Sequence, residues 1–577
     1  MTSKMETDVH LLADVFENFR TLCLNKYELD PAHFYTSPGL AWQAALKMTG
    51  VALELFTDPD MHFFIEKGLR GGVAMITKRY AKANIPLLKE YDATKDISSL
   101  IYLDANNLYA WGMSQPLPTH DFDWLNEEEI ATLDATSLPP TEDTGYILEV
   151  DLEYPKHLHD LHNDYPLAPK ALEIRREMLS PYQTELLKDL GMKATKCSKL
   201  IPNLHDKQNY VLHYRNLQLY LSLCMKLKKI HRVLSFQQSP WLKPYIDFNT
   251  NMRKEAKNEF EKDFYKLMNN SVFGKTMENL RKRVDIQLVN QEKRLLKLTK
   301  KPGFKSFKIF NEDLVSIELQ KAKLVLNRPI YVGFSILDLS KVLMYDLHYN
   351  YIKQKYGNTA QLLFTDTDSL CYDIKTDDIF NEMAEDKHLF DFSGYKKDHP
   401  LYDTNNKKVI GKMKDELNGA FLKEIVGLRA KMYSILYERE KTDEEMEEQK
   451  GMKKSQKEKE NDGEEKKRTK EDEEIEELNQ SGKSQNEKEK VIEEKNRAKG
   501  VVKAVIKSKL QHDLHTRCLF KRESQMESMN LFRTEKHQIH TVKINKTTLS
   551  TFDDKRYILA GGIHTLAYGH WRTLTLS

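Results

Sequence analysis

Cysteine is scarce and poorly placed for chemistry. The five residues Cys23, Cys197, Cys224, Cys371 and Cys518 are odd in number, and no two form a C-x-x-C pair. That argues against a disulfide framework and a thiolate zinc site, and makes a reducing compartment the default. Long apolar runs are missing as well. Nothing approaches the ~18 apolar residues of a membrane helix. The opening Met1-Thr-Ser-Lys-Met-Glu-Thr-Asp8 has no apolar signal region. The chain therefore reads as soluble and intracellular, with no membrane partner.

An excess of one charge is also lacking: 89 Lys and Arg stand against 87 Asp and Glu, a formal net charge of +2. The balance hides a cancellation. Residues 441–490 hold 13 basic and 18 acidic side chains, so 76 basic face 69 acidic in the rest of the chain, a net of +7. The remainder is mildly basic, which permits a nucleic-acid partner. In 441–490 only Met446, Met452, Ile475 and Leu478 are apolar. Such a stretch buries too little surface to offset its ordering entropy, and is expected to be a disordered charged insertion with no apolar heptad.

Elsewhere the patterning is that of a folded protein. Apolar residues recur at three- and four-residue spacing over 8–27, and a second helix is expected over 40–48. Gly71-Gly72 marks a loop. Residues 98–103 form a short apolar run ending at Asp104, which predicts a buried strand, and 147–154 alternates as a half-exposed strand stopped by Pro155. A charged helical stretch covers 248–283. Residues 335–356 read as a long amphipathic helix stopped by Gly357. Leu362-Leu363-Phe364-Thr365-Asp366-Thr367-Asp368-Ser369-Leu370-Cys371-Tyr372 reads as two apolar strands around a polar turn.

Nucleotidyl transfer asks a protein for positioning and charge stabilisation, often through two divalent ions held by carboxylates at strand ends. Asp366 and Asp368 at a hairpin tip, with Asp104 ending another apolar strand, fit that demand. Alone, an Asp-Thr-Asp turn is more often a surface turn. Its apolar flanks raise its weight, because burying carboxylates needs a reason. Lys254, Lys262, Lys266 and Asn270 follow at spacings of eight, four and four. On one helix the last three form a ridge that could hold a triphosphate, or a solvated face. The ridge runs into Ser271, Phe273 and Gly274, where a small residue beside an aromatic suits close approach to a base pair. Between 280 and 308 ten Lys or Arg meet two acids, with Phe304, Phe307 and Phe310 interleaved or adjacent. That mixture suits phosphate contacts and base stacking, and suits a plain solvated loop as well.

Together these residues resemble the family B DNA polymerases. Asp104-Ala-Asn-Asn-Leu108-Tyr109 is similar to motif A, Lys266-Leu-Met-Asn-Asn270-Ser271-Val-Phe273-Gly274 to motif B, Phe364-Thr-Asp366-Thr-Asp368-Ser369 to motif C, and Lys431-Met-Tyr433 to the thumb-side KxY motif, all in the family's order. The organellar and viral, protein-primed branch is resembled in particular. Within it, Tyr109-Ala-Trp-Gly-Met-Ser-Gln-Pro-Leu-Pro118 and Gly562-Ile-His-Thr-Leu-Ala-Tyr-Gly-His570 are similar to polymerases of Polinton or Maverick transposons.

The resemblance implies an α+β right hand of palm, fingers and thumb, with an antiparallel palm sheet. Asp104 and Asp368 would bind two Mg²⁺ (or Mn²⁺) ions, and Asp366 would be the third catalytic carboxylate. Leu108, Tyr109, Lys254, Lys262, Lys266, Asn270, Phe273 and Gly274 would take the dNTP, with Tyr109 excluding a 2′-hydroxyl and so favouring dNTP over rNTP. Gly71, Gly72, Ser271, Thr365, Lys431 and Tyr433 would meet the DNA primer-template. A terminal protein primer is a further implied partner, and a nucleus or a viral or transposon replication site the implied location. The expected divisions are an exonuclease-like end at 1–60, palm at 61–150 and 331–430, insertions at 151–240 and 286–330, fingers at 241–285, thumb at 431–440 and 498–577, and the charged insertion at 441–497.

Departures are mild: Asn107 stands for Ser and Ala110 for Pro in motif A, and Phe273 and Phe364 each stand for Tyr. Leu69 replaces the Tyr of the YxGG loop, and Lys4 stands where the last exonuclease motif has Tyr before its carboxylate, here Asp8. Proofreading is therefore not expected. The rival readings are a decayed transposon copy that binds DNA without polymerising, and an RNA polymerase or reverse transcriptase on a similar palm.

Overall fold

Nine short runs among the described residues, drawn from almost the whole chain, and a two-residue tenth assemble one sheet. The nine are β1 (Ala74–Ile76), β2 (Tyr80–Lys82), β3 (Ser99–Ala105), β4 (Ala360–Asp366), β5 (Ser369–Ile374), β6 (Met413–Asp415), β7 (Phe421–Arg429), β8 (Met432–Glu440) and β9 (Lys490–Ala498). The order is β1-β4-β5-β3-β7-β8-β9, with β6 paired to the end of β3 and β2 to β7. All these pairings are antiparallel; the two-residue strand Phe390–Asp391 adds a parallel partner to β6. The computed structural model describes residues 2–576 apart from 135, 140–141, 194–195, 322, 442–444, 446–489 and 536–537.

Residues 100–103 of β3 are all apolar because the strand is covered on both faces. Ile101 and Leu103 join a cluster with Tyr345, Leu362 and Tyr372, whereas Leu100 and Tyr102 join one with Phe364, Cys371 and Ile425. Behind the sheet runs a helical column. The other helices that position the site are α1 (Leu108–Met113), α2 (Lys243–Glu255) and α3 (Glu259–Thr276); the column itself begins with α4 (Ile330–Asp346). Residues 335–356 were expected to be amphipathic, but α4 is buried almost all round, starts just after Pro329, and passes into a π-helical stretch at Leu347–Lys353. It has neighbours on every side, so no polar face is left to show a 3.6-residue period.

Three N-terminal helices, Thr2–Tyr27, Ser37–Thr49 and Pro59–Gly68, pack against α2, α3 and α4. The Phe19 ring meets Phe264 edge-on at 5.4 Å, and the Tyr27 hydroxyl donates to Asn249 at 2.5 Å. Asp8 sits on an exposed helical turn. A second sheet joins Leu117–Trp124, Lys226–Ser239, Thr144–Glu153 and Lys207–His213 in that order. The division expected at 150 therefore falls inside a strand, because the apolar faces of early and late segments are buried together. The basic stretch folds into a small unit: strands Asp285–Val289, Leu314–Leu319 and Phe304–Asn311 with helix Glu292–Thr299 around Val289, Leu298, Ile317 and Leu319. Phe307 and Phe310 stay exposed on it.

The disorder expected over 446–489 falls outside the described residues. The expected boundary of that insertion is corrected at its far end. Residues 490–497 belong to β9, which pairs with β8 over nine consecutive residues. Their alternation of Val491, Glu493, Lys495 and Arg497 with neighbours on the other face is that of a charged edge strand, which such composition also serves.

Candidate active site

The three aspartates lie at the meeting of β3, β4 and β5. Ser369 is the register partner of Asp104, and the Ala105 N–H donates to the Asp368 carbonyl at 2.8 Å. Asp104, near the end of β3, and Asp368, in the turn just before β5, thus sit at neighbouring positions. Thr367 turns the hairpin with φ +77°, a left-handed conformation unfavourable for a β-branched residue. Two contacts hold it there. Its N–H donates to the Val73 carbonyl at 2.7 Å, and Gly72 passes so close that a Cβ on it would stand 2.2 Å from the Thr367 methyl. Only glycine allows that approach. The Gly71-Gly72 loop is fixed in turn by Lys341, buried in α4, which donates to the Arg70 carbonyl at 2.8 Å and is lowered to about 8 by burial.

The electrostatics separate the carboxylates. Burial first, then the charges of Asp368 and Glu416, push Asp104 up to about 8, against the pull of Lys495 and Lys266. Asp368 is also raised, by burial and then by Asp366. Among the described residues the Asp104 carboxyl has no hydrogen bond or ion pair. Asp366 is different. It is 1% exposed and clamped between Lys431 at 2.9 Å and Arg497 at 3.0 Å.

Convergence of all three aspartates on one ion pair was expected. Instead, no group of three His, Cys, Asp or Glu side chains among the described residues is disposed to hold a metal. Asp366 is held between Lys431 and Arg497. The Asp104–Asp368 pair does fit divalent ions: two repelling, partly buried carboxylates suit Mg²⁺ or Mn²⁺, which keep waters and take further oxygens from phosphates.

Tyr109 of α1 stacks on Phe273 of α3, with ring centroids 4.7 Å apart and 21° between planes. Burial and then the charge of Asp368 push the Tyr109 phenol up to about 12. The motif A and motif B aromatics are therefore joined beside the carboxylate pair. Asn107 precedes α1 with φ +48°, a conformation that asparagine tolerates better than most residues. On α3, Lys266 and Asn270 are exposed, Lys262 pairs with Glu259 at 2.5 Å, and Gly274 faces open space. Lys254 lies on α2, across a break at 256–258, so the lysine row spans two helices.

Several expected contacts are not available to a ligand. The Leu108 side chain is core (3% exposed), leaving only its backbone for a nucleotide. Ser271, Thr365 and Tyr433 were expected to touch primer or template, yet all are buried. Strand alternation turns Thr365 away from Asp366. Ser271 points into the α3 core. Tyr433 stacks on Phe364 at 4.3 Å, and its hydroxyl lies 3.0 Å from that of Tyr102. Conversely, Arg497, Lys495 and Glu416 act on the aspartates without having been singled out. Lys495 bridges to Glu416 at 2.5 Å.

A carboxylate pair at the tip of an antiparallel hairpin and on its neighbouring strand, beside an aromatic stack and a lysine-bearing helix, is an arrangement suited to nucleotidyl transfer. Residues 5–354 match the model of DNA polymerase type B, organellar and viral, and the chain belongs to that family of DNA-directed DNA polymerases. Among solved structures the chain is similar to "Phi29 DNA Polymerase, orthorhombic crystal form" (TM-score 0.50, 13% identity, 90% of this chain and 68% of that one). It is also similar to "Phi29 DNA polymerase complexed with primer-template DNA and incoming nucleotide substrates (ternary complex)" (0.48, 12%, 90% and 68%). At these identities the likeness is one of fold. No curated protein sequence matches.

Proposed function

We propose that the chain extends a DNA primer on a template: the primer 3′-oxygen attacks the α-phosphate of a dNTP, that phosphorus–oxygen bond forms, and pyrophosphate leaves. The observation that carries this reading is the Asp104 carboxyl, pushed up to about 8 beside Asp368 and without a partner of its own. Asp104 and Asp368 would hold two divalent ions, which when bound supply charge neutralisation and a more nucleophilic 3′-oxygen. The Tyr109–Phe273 stack is the floor under the deoxyribose and the steric bar to a 2′-hydroxyl. Lys266, whose charge reaches Asp104, binds the triphosphate, with Lys262, Lys254 and Asn270 along the same approach and Gly274 open to the nascent pair. Gly71 and Gly72 set the motif C turn against the primer terminus. Lys431 shares itself between Asp366 and the primer backbone.

The Polinton- or Maverick-like phrasing around Tyr109 and at 562–570 supports a transposon-type polymerase that starts from a protein hydroxyl, working in a nucleus or at a viral or transposon replication site. The test is primer extension with Mg²⁺ or Mn²⁺, alongside a DNA-binding measurement. Incorporation by the natural chain, lost in Asp366→Asn with DNA affinity kept, is the expected result. DNA binding with no incorporation in either ion would overturn the enzyme and leave a DNA-binding remnant.

A further inference from the structure

A palm loop at 403–412, which no motif covers, is wired to motif A. The Lys408 N–H donates to Asp391 Oδ2 at 2.8 Å, and Asn106 Nδ2 donates to the same oxygen at 2.7 Å. The Asn106 N–H donates to the Lys412 carbonyl, and the Gly411 N–H to the Asn106 carbonyl, both at 2.8 Å. Asn106 lies two residues beyond Asp104, so this loop is indexed to the carboxylate pair. Lys408 itself holds φ +54°, a costly conformation for a side chain of its kind.

The loop faces α2 with a cluster of positive charge. Burial, then the charges of Arg253, Lys407 and Lys262, lower the Lys408 ammonium, and Glu259 is the one facing carboxylate that raises it. Among the described residues, Arg253, Lys254, Lys407 and Lys408 make no ion pair within 4.0 Å. The Nε of Arg253 is closed to solvent and has no hydrogen-bond partner. Between α2 and this loop lies a cavity of about 380 Å³ whose lining includes Trp111, Ser114, Thr250, Lys254 and Lys408.

The nearby carboxylates Asp247 and Glu259 pair with Lys243 and Lys262, so the cations of Arg253, Lys254, Lys407 and Lys408 repel one another unless a polyanion joins them. The direction of that polyanion is set by α3. Lys262 and Lys266 stand one turn, or ~6 Å, apart along it, and Asn106, two residues beyond Asp104, is hydrogen-bonded to the loop that carries Lys408. A phosphate chain that begins at the carboxylate pair and follows α3 ends at the palm loop.

We propose that Lys408 binds the terminal phosphate of the incoming nucleotide, closing the triphosphate between the palm loop and the finger lysines. This rests on the polymerase reading above and adds a palm residue to the finger row. Lys408 faces α2 across the cavity, and its unfavourable backbone conformation is held by the hydrogen bond to Asp391.

The test compares full-length chains carrying Lys408→Met, which keeps the length and removes the charge, and Lys408→Arg, which keeps the charge. Single-nucleotide incorporation is titrated with dNTP on a fixed primer-template, DNA affinity is measured separately, and inorganic tripolyphosphate is titrated by calorimetry. Loss of one charge-assisted contact at a partly exposed site should raise the KM for dNTP about tenfold in Lys408→Met. Little change is expected in kcat or DNA affinity, tripolyphosphate binding should weaken in parallel, and Lys408→Arg should recover most of the loss. An unchanged KM in an active enzyme overturns the inference. So does a loss of DNA affinity in place of a KM effect, which would give the loop to the nucleic-acid backbone. If the natural chain incorporates nothing, Lys408-dependent tripolyphosphate binding still supports the anion site while the polymerase reading falls; binding indifferent to Lys408 overturns the site as well.

Discussion

Asp104 lowers the stability of the fold, and the penalty grows with pH. Its carboxyl is pushed up from 3.8 to about 8, by burial and then by Asp368 and Glu416. A folded-state pKa above the unfolded one means that the folded chain keeps a proton the unfolded chain has already released. Stability therefore falls as pH rises from the unfolded value toward the folded one, and levels off above it. One pH unit corresponds to ~1.36 kcal/mol, so the full shift between pH 5.5 and 8 amounts to about 3 kcal/mol. Relaxation and water entry leave about 1–3 kcal/mol. Asp104→Asn keeps the shape and removes the ionisation. In urea unfolding with a chelator present, its stability advantage over the natural chain should grow by about 1–3 kcal/mol between pH 5.5 and 8. Mg²⁺ should flatten the pH dependence of the natural chain and not that of the variant, because the ligands must lose their protons to bind it. An advantage that is the same at both pH values, or a loss of stability, would refute the reasoning.

Two further perturbations probe the frame around the pair. Gly72→Ala places a Cβ 2.2 Å from the Thr367 methyl, so it should displace the motif C turn and cut primer extension at least about tenfold. Adding Thr367→Gly, which removes both the clash and the strained φ of +77°, should restore much of it; no rescue would mean that the contact does not set the turn. Arg497→Met removes one of the two cations on Asp366. Because Arg497 is 51% exposed, the stability cost should be about 1 kcal/mol and not the 3–5 of a fully buried pair. Combining it with Lys431→Met should cost more than the two changes separately, since the carboxylate is then buried alone; strict additivity in urea unfolding would disprove the shared clamp.

The aspartates were legible because burial leaves a trace: apolar runs on both sides of a polar turn. The Tyr109–Phe273 stack has no such trace. The two residues are far apart in sequence, and only the order of the motifs suggests that they meet. Ser271, Thr365 and Tyr433 were assigned to DNA because motif membership says nothing of which way a side chain points; strand alternation for Thr365 and core packing for the others decide that. α4 was misjudged for a related reason. A helix buried on all sides shows no amphipathic period, so its sequence carries no sign of which face meets the core. Lys408 carries no local signal at all, since its position depends on Asp391 and Asn106.

Arg497 was hidden by composition, and its place in the sheet bears on the charged segment before it. β8 and β9 pair in unbroken register from Glu440 with Lys490 to Met432 with Ala498. At ~3.4 Å per residue, the end of the ladder where the chain departs and returns is roughly 27 Å from the end that carries Tyr433 and Arg497. Lys431 and Arg497, the two cations on Asp366, both belong to the near end. A change in the length of the segment between Glu440 and Lys490 enters the fold through loop closure, which grows only with the logarithm of length. It does not enter through register, because a slip of one residue would turn Arg497 to the opposite face and take it from Asp366. The ladder thus fixes Arg497 over Asp366 at one end while the chain leaves and returns at the other.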